Sequence, residues 1–151
     1  MPPEPVFLDT SFILALLDAK DKWHQTAQEI IASLDENTVA VVGDAIIAET
    51  ISTAAKRIRE RKKFKPEEKE KLFVEFVKNL KKFCSECEQI PLFSYAEKYF
   101  DSIVEDIVKN KGRLNFNDML IINACRSLEI KRILTFDKDF SEYMEIVNRK
   151  F

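Results

Sequence analysis

Histidine and glycine are scarce in this chain: one histidine, His24, and two glycines among 151 residues, with five prolines and three cysteines. So few glycines and prolines exclude a flexible or low-complexity protein. The cysteines Cys84, Cys87 and Cys125 are odd in number, and Cys84-Cys87 form a CxxC pair. No second pair exists, so with a single histidine a four-ligand zinc site is poorly supplied. The pair falls at the end of an apolar helix and is expected to pack against the core. No apolar run approaches the ~20 residues that a membrane span needs. Nor does any segment combine a basic start, an apolar middle and a small-residue cleavage site. The expectation is a soluble, cytoplasmic protein. A formal net charge of −2 argues against a protein that coats nucleic acid by bulk charge.

What is present is a core. Apolar residues make up 46% of the chain, enough for one buried core and too little length for two ordinary domains, so residues 1–151 are read as one domain. Short β-like runs alternate with helical periodicity, which predicts an α/β layered fold with a mostly parallel sheet. The strands are expected at Val6–Leu8, Val39–Val42, Gln89–Phe93, Arg132–Thr135 and, in the tail, Glu145–Asn148. Pro91 makes the third short or places it at a sheet edge.

Helices are expected over Ser11–Leu17 and Lys22–Leu34. Another follows Gly43, with Asp44 as its cap and Ile47, Ile51, Ala54 and Ile58 as its core face. Pro66, Glu67 and Glu68 open a further helix. Tyr99, Ile103 and Ile107 mark the next, ending near Gly112. Asn117 is placed as the cap of a helix through Leu128.

Four carboxylates, Asp9, Glu49, Asp118 and Asp137, lie where these strands and helices meet. In open parallel sheets, ligands bind beyond the carboxyl ends of the strands. Asp9 and Asp137 follow strands, Asp118 sits in a helix first turn, and Glu49 lies one to two turns into its helix. Carboxylates gathered together repel, and a bound cation removes that conflict. Oxygen ligands without histidine suit Mg²⁺ or Mn²⁺. Such an ion activates water and stabilises charge on a phosphodiester in the transition state. Each acid taken singly also has a bland reading, as a helix cap or a surface group.

The motifs around these acids resemble the PIN-domain ribonucleases, most closely the toxins of VapBC-type toxin–antitoxin pairs. VFLDTSFILALLD is similar to the family's first strand and helix, with Asp9 its first acid and Thr10 or Ser11 the neighbouring hydroxyl. DKWHQTAQEI resembles the segment that holds His24 and Ala27. AIIAETIST sets Glu49 at the helix glutamate. NFNDMLIINACRSL supplies Asn117 and Asp118, and ILTFDKDF supplies Thr135 and Asp137, with Asp139 second in rank for the last role. The resemblance covers essentially the whole chain. It implies a three-layer α/β/α sandwich, a homodimer, cleavage of single-stranded RNA with Mg²⁺ or Mn²⁺, and a VapB-like antitoxin partner.

On that reading Asp9, Asp118 and Asp137 hold the ion, directly or through water, and Glu49 completes the cluster or orients the attacking water. Arg57 and Arg61, in the basic stretch Lys56–Lys65, offer RNA contacts or simply a solvated helix end whose cations suit the helix dipole. His24, the sole histidine, is tempting as a general base, but a structural or surface role is expected. Three rivals stand beside this reading: a housekeeping RNA-processing nuclease, a non-catalytic PIN-like binding module, and a phosphatase of the haloacid dehalogenase type. The last wants an aspartate where Ser11 stands.

Overall fold

The computed structural model describes residues 2–147. Five strands form the sheet: β1 (Glu4–Leu8), β2 (Thr38–Gly43), β3 (Glu88–Ile90), β4 (Arg132–Leu134) and β5 (Glu145–Ile146). Seven α-helices connect them: α1 (Thr10–Leu17), α2 (His24–Ser33), α3 (Asp44–Arg59), α4 (Pro66–Ser85), α5 (Leu92–Lys98), α6 (Phe100–Lys109) and α7 (Phe116–Ser127). A 3-10 turn, Lys138–Glu142, precedes β5. The strand order is β3-β2-β1-β4-β5 and every pairing is parallel.

The central strand β1 reads as continuous apolar residues because it is covered on both faces: Val6, Phe7 and Leu8 are fully buried. From β1 the chain steps outward through β2 to β3, then returns across the sheet to β4. Right-handed crossovers put the helices of the two directions on opposite faces, α1–α4 on one and α5–α7 on the other. This is the expected three-layer α/β/α sandwich. The reversal of direction falls between β1 and β4, and their carboxyl ends open a crevice there. Among the described residues, no helix is long and apolar enough to cross a membrane.

Several local expectations shift. Helix α3 begins at Asp44 rather than after it. Gly43 holds the cap position, and the Asp44 carboxylate accepts from the backbone N–H of Ala45 (2.7 Å) and of Phe93 (3.1 Å). The buried seam of α3 is Ile46, Thr50, Ala54 and Ile58. Ile47 and Ile51 lie beside it, half-buried. Helical spacing allows either register, and Thr50 is admitted to the core because its hydroxyl donates to the Ile46 carbonyl (2.7 Å).

Pro91 ends β3 at the sheet edge, so Leu92 and Phe93 belong to a helix instead of a strand. The Tyr99–Ile107 periodicity covers α6; α5 before it is an additional helix, and Tyr99 is the junction of the two. Helix α2 starts two residues later than expected, and α7 is capped by Asn115, not Asn117. In the tail, β5 covers Glu145–Ile146, and Asn148 lies outside the described residues. All three cysteines are free thiols; Cys84 and Cys125 are buried and Cys87 partly so.

Candidate active site

The site begins with the last step of β1. The Asp9 backbone N–H donates to the Leu134 carbonyl at the end of β4 (3.0 Å), which sets Asp9 at the strand-order reversal. Its extended backbone then makes it the N-cap of α1, and its carboxylate accepts from the Thr10 N–H (2.9 Å). The other carboxylate oxygen accepts from the Thr135 hydroxyl (2.7 Å) and the Ser11 hydroxyl (3.3 Å). Those hydroxyls lie 3.2 Å apart, and each accepts a backbone N–H: Phe136 to Ser11 and Asp137 to Thr135, both 3.0 Å. The loop after β4 is thereby stitched to the start of α1.

Thr10 links Asp9 to the next element, its hydroxyl donating to Glu49 Oε2 on α3 (3.1 Å). The third acid arrives from the opposite helical layer. Helix α7 runs back toward the start of β4, so its first turn lies at the carboxyl edge of the sheet. Asp118 is the third residue of that turn, in a reciprocal capping box: its N–H donates to the Asn115 side chain (2.9 Å), and its carboxylate accepts the Asn115 N–H (3.2 Å). The sequence carried this signal as N-x-x-D, two residues ahead of the asparagine chosen as cap. Asp137 caps the 3-10 turn through the Asp139 N–H (2.9 Å). Asn117 and Asp139 are exposed beside it.

The electrostatics bear the mark of crowded acids. Burial pushes the Asp9 carboxyl up to about 6; the Thr135 hydroxyl and Thr10 N–H pull it back, while Asp118 and Glu49 push it further up. Asp118 is also raised, chiefly by burial, against the Asn115 N–H and with Asp137, Glu49 and Asp139 adding repulsion. The donor chemistry is all oxygen and fits a hard divalent cation. Among the described residues, however, no three acidic, histidine or cysteine side chains converge tightly enough to hold an ion as they stand.

Two other expectations find their places. His24 sits at the start of α2, where its Nδ1 lies 2.7 Å from the Ala15 carbonyl on α1. That contact ties two helices together and is structural. Arg57 pairs with Asp18 (3.3 Å) and Asp21 (2.9 Å), and Arg61 with Asp18 (2.9 Å). Both arginines thus brace the α1–α2 connection. Nothing local in the sequence announces these pairs, since the partners lie 36 to 43 positions away.

A parallel sheet with acids from four separate elements near its strand-order reversal defines the class as an α/β protein with an acidic sheet edge. The PIN-domain family profile matches residues 6–145, and the chain belongs to that family. The phosphatase alternative falls with this assignment. No curated protein sequence matches the chain. Among solved structures it is similar to VapC20 of Mycobacterium tuberculosis, a sarcin-ricin-loop-cleaving toxin, at 22% identity and TM-score 0.68 over 91% of this chain and 93% of that one. It also resembles VapBC2 from Rickettsia felis bound to a DNA fragment from their promoter, at 14% identity and TM-score 0.59 over 94% and 96%. A third is PAE2754 from Pyrobaculum aerophilum, at 19% identity and TM-score 0.60 over 97% and 91%.

Proposed function

We propose that the chain is a metal-dependent endoribonuclease and the toxin of a toxin–antitoxin pair, acting in the cytoplasm as a homodimer. The observation that carries the reading is Asp9: a buried acid at the strand-order reversal, tied through Thr10 to Glu49 and through Thr135 to the end of β4. The similarity to an RNA-cleaving toxin and to a VapBC complex supports the same conclusion.

Asp9, Asp118, Asp137 and Glu49 would hold Mg²⁺ or Mn²⁺, directly or through water. When bound, the ion supplies an activated water and neutralises charge developing on the phosphodiester. Ser11 and Thr135 hold Asp9 in one orientation. Glu49, partly satisfied by Thr10, orients the attacking water with its remaining acceptor capacity. In-line attack at phosphorus leaves a 5′-phosphate and a 3′-hydroxyl.

The test is cleavage of several RNAs by folded Asp9→Asn protein with Mg²⁺ or Mn²⁺. Cleavage undiminished from the parent would rule the assignment out. Growth arrest on expression, relieved by a small neighbouring gene, separates a toxin from a housekeeping nuclease. One observation favours a second reading, a PIN-like module that binds without cutting: the acids do not yet converge on one point. Calorimetry with Mn²⁺ decides between them, because a binding-only module gives no heat that Asp9→Asn removes.

A further inference from the structure

Hydroxyls of Thr10, Ser11 and Thr135 tie Asp9 to Glu49 and to the end of β4. Asp118 and Asp137 are held differently, because their carboxylates accept backbone N–H groups of their own turns. These two acids repel each other, and Asp139 adds to the repulsion on Asp118. Something outside the acids must keep the two turns at their separation.

Arg113 and Glu142 are placed to do so. Arg113 lies in the connection from α6 to α7, and Glu142 is the last residue of the 3-10 turn that Asp137 caps. The two terminal nitrogens of Arg113 donate one to each carboxylate oxygen of Glu142. Such a planar fork fixes direction as well as distance, which a single-point contact does not.

Each anchor is firm behind its charged tip. On one side Lys111 and Gly112 take left-handed backbone (φ 58° and 74°), and the Gly112 N–H donates to the Ile107 carbonyl (3.0 Å). Leu114 is fully buried, and Asn115 then caps α7 ahead of Asp118. On the other side Phe140 is fully buried, and its carbonyl accepts the N–H of Tyr143 (3.0 Å) and of Met144 (2.9 Å). A bond between the tips therefore fixes the two bodies, and with them the two acids.

The pair is exposed, 45% and 52%, so it contributes little to global stability. Its position is the informative feature. A positive charge beside acids opposes cation binding, and Arg113 stands close enough to Asp139 to feel its charge. A cation in that place calls for a role other than charge.

We propose that the Arg113–Glu142 pair is a positioning clamp, holding the turn that bears Asp118 at a set distance from the turn that bears Asp137, so that both acids serve one ion. The proposal rests on the metal-dependent nuclease reading above.

Charge alone and a clamp predict opposite results for Arg113→Gln. Removing a positive charge beside the acids should tighten Mn²⁺ binding. Losing a clamp should weaken it, because the ion must then draw the turns together itself. Calorimetry of the folded proteins is expected to show Mn²⁺ bound about 5-fold more weakly by Arg113→Gln, the upper range for an exposed pair. Arg113→Lys keeps the charge but loses the fork, and should shift the same way. The reversed pair, Arg113→Glu with Glu142→Arg, should recover most of the loss. Melting temperatures should scarcely move in any of these variants. In chelator, hydrogen exchange at the Asp118 and Asp139 N–H groups, which close the two turns, should quicken in Arg113→Gln while strand β1 stays unchanged.

Mn²⁺ binding by Arg113→Gln that equals or exceeds the parent's, or exchange that does not quicken, overturns the clamp and leaves the nuclease reading intact. A parent that neither binds Mn²⁺ nor cleaves RNA overturns that reading instead, and the exchange measurement still decides whether the two turns are clamped.

Discussion

Asp9→Asn should make this protein more stable while destroying its activity. The carboxyl of Asp9 is raised from 3.8 to about 6, so near pH 4–6 the folded state binds more protons than the unfolded state. Stability therefore falls as pH rises through that window and levels off above it. Roughly two units at ~1.4 kcal/mol each make ionised Asp9 cost the metal-free fold about 3 kcal/mol. Asparagine removes this cost but disturbs its neighbours. The Ser11 hydroxyl can turn to Thr135, 3.2 Å away, but the Thr135 hydroxyl donates to Asp9, so an amide nitrogen there strands one proton at about 1 kcal/mol. The net gain is about 1–2 kcal/mol at pH 8, roughly 3–6 °C in Tm for a chain of this size. At pH 4 the folded state holds Asp9 protonated and the unfolded state, at its ordinary 3.8, does so in part, so most of the gain should be gone. The assay is thermal melting of parent and variant from pH 4 to pH 8 in chelator. A variant that melts at or below the parent at pH 8, or a difference that ignores pH, would refute the reasoning. Adding Mn²⁺ should raise the Tm of the parent and leave the variant unmoved.

Thr135→Val removes the hydroxyl that holds down the Asp9 pKa; the acidic limb of the pH–rate profile for RNA cleavage should move to higher pH, and a limb that stays put or moves the other way contradicts the role. Gly43→Ala sets a Cβ 2.1 Å from Leu92 Cδ1, and Leu92 is fully buried, so overpacking should cost about 1–3 kcal/mol in urea unfolding. The proposed homodimer can be tested by Val108→Glu. Phe100, Val104 and Val108 form an exposed apolar stripe on α6, 55%, 37% and 71% accessible. The helix is acidic early (Asp101, Glu105) and basic at its end (Lys109), so a two-fold antiparallel pairing sets opposite charges together. Size-exclusion chromatography with light scattering should show the variant as a monomer and the parent as a dimer.

Much of this architecture was legible because periodicity and punctuation agreed. The apolar run ending at Asp9, the alternation of strands and helices, and Pro91 as a marker of a short edge strand all carry direct physical meaning. The failures are equally specific. Helix α5 is seven residues long, too short for a 3.6-residue repeat to separate it from the strand before it. The α3 seam slipped by one residue because threonine at position 50 does not read as core until its hydroxyl is given the Ile46 carbonyl. For α7, Asn117 is the asparagine nearest the apolar run, while the N-x-x-D spacing points to Asn115 as the cap. At the site, strand ends and helix starts placed the acids near one another. The hydroxyl relay through Thr10, Ser11 and Thr135 depends on partners 39 to 126 positions apart, which no local pattern encodes.

The ion pairs of Arg57 and Arg61 change how salt should act on this protein. Were both arginines neutralising phosphates of a single strand, together they would contribute about −1.4 to the slope of log affinity against log salt. Engaged with Asp18 and Asp21, they act as struts between α3 and the α1–α2 connection, so a run of ten residues rich in lysine and arginine presents less charge to solution than its composition suggests. Raising ionic strength should then loosen the strut before it loosens the RNA. A nuclease built this way would keep hold of its substrate in a salty interior, and would gain little from long-range attraction in finding it.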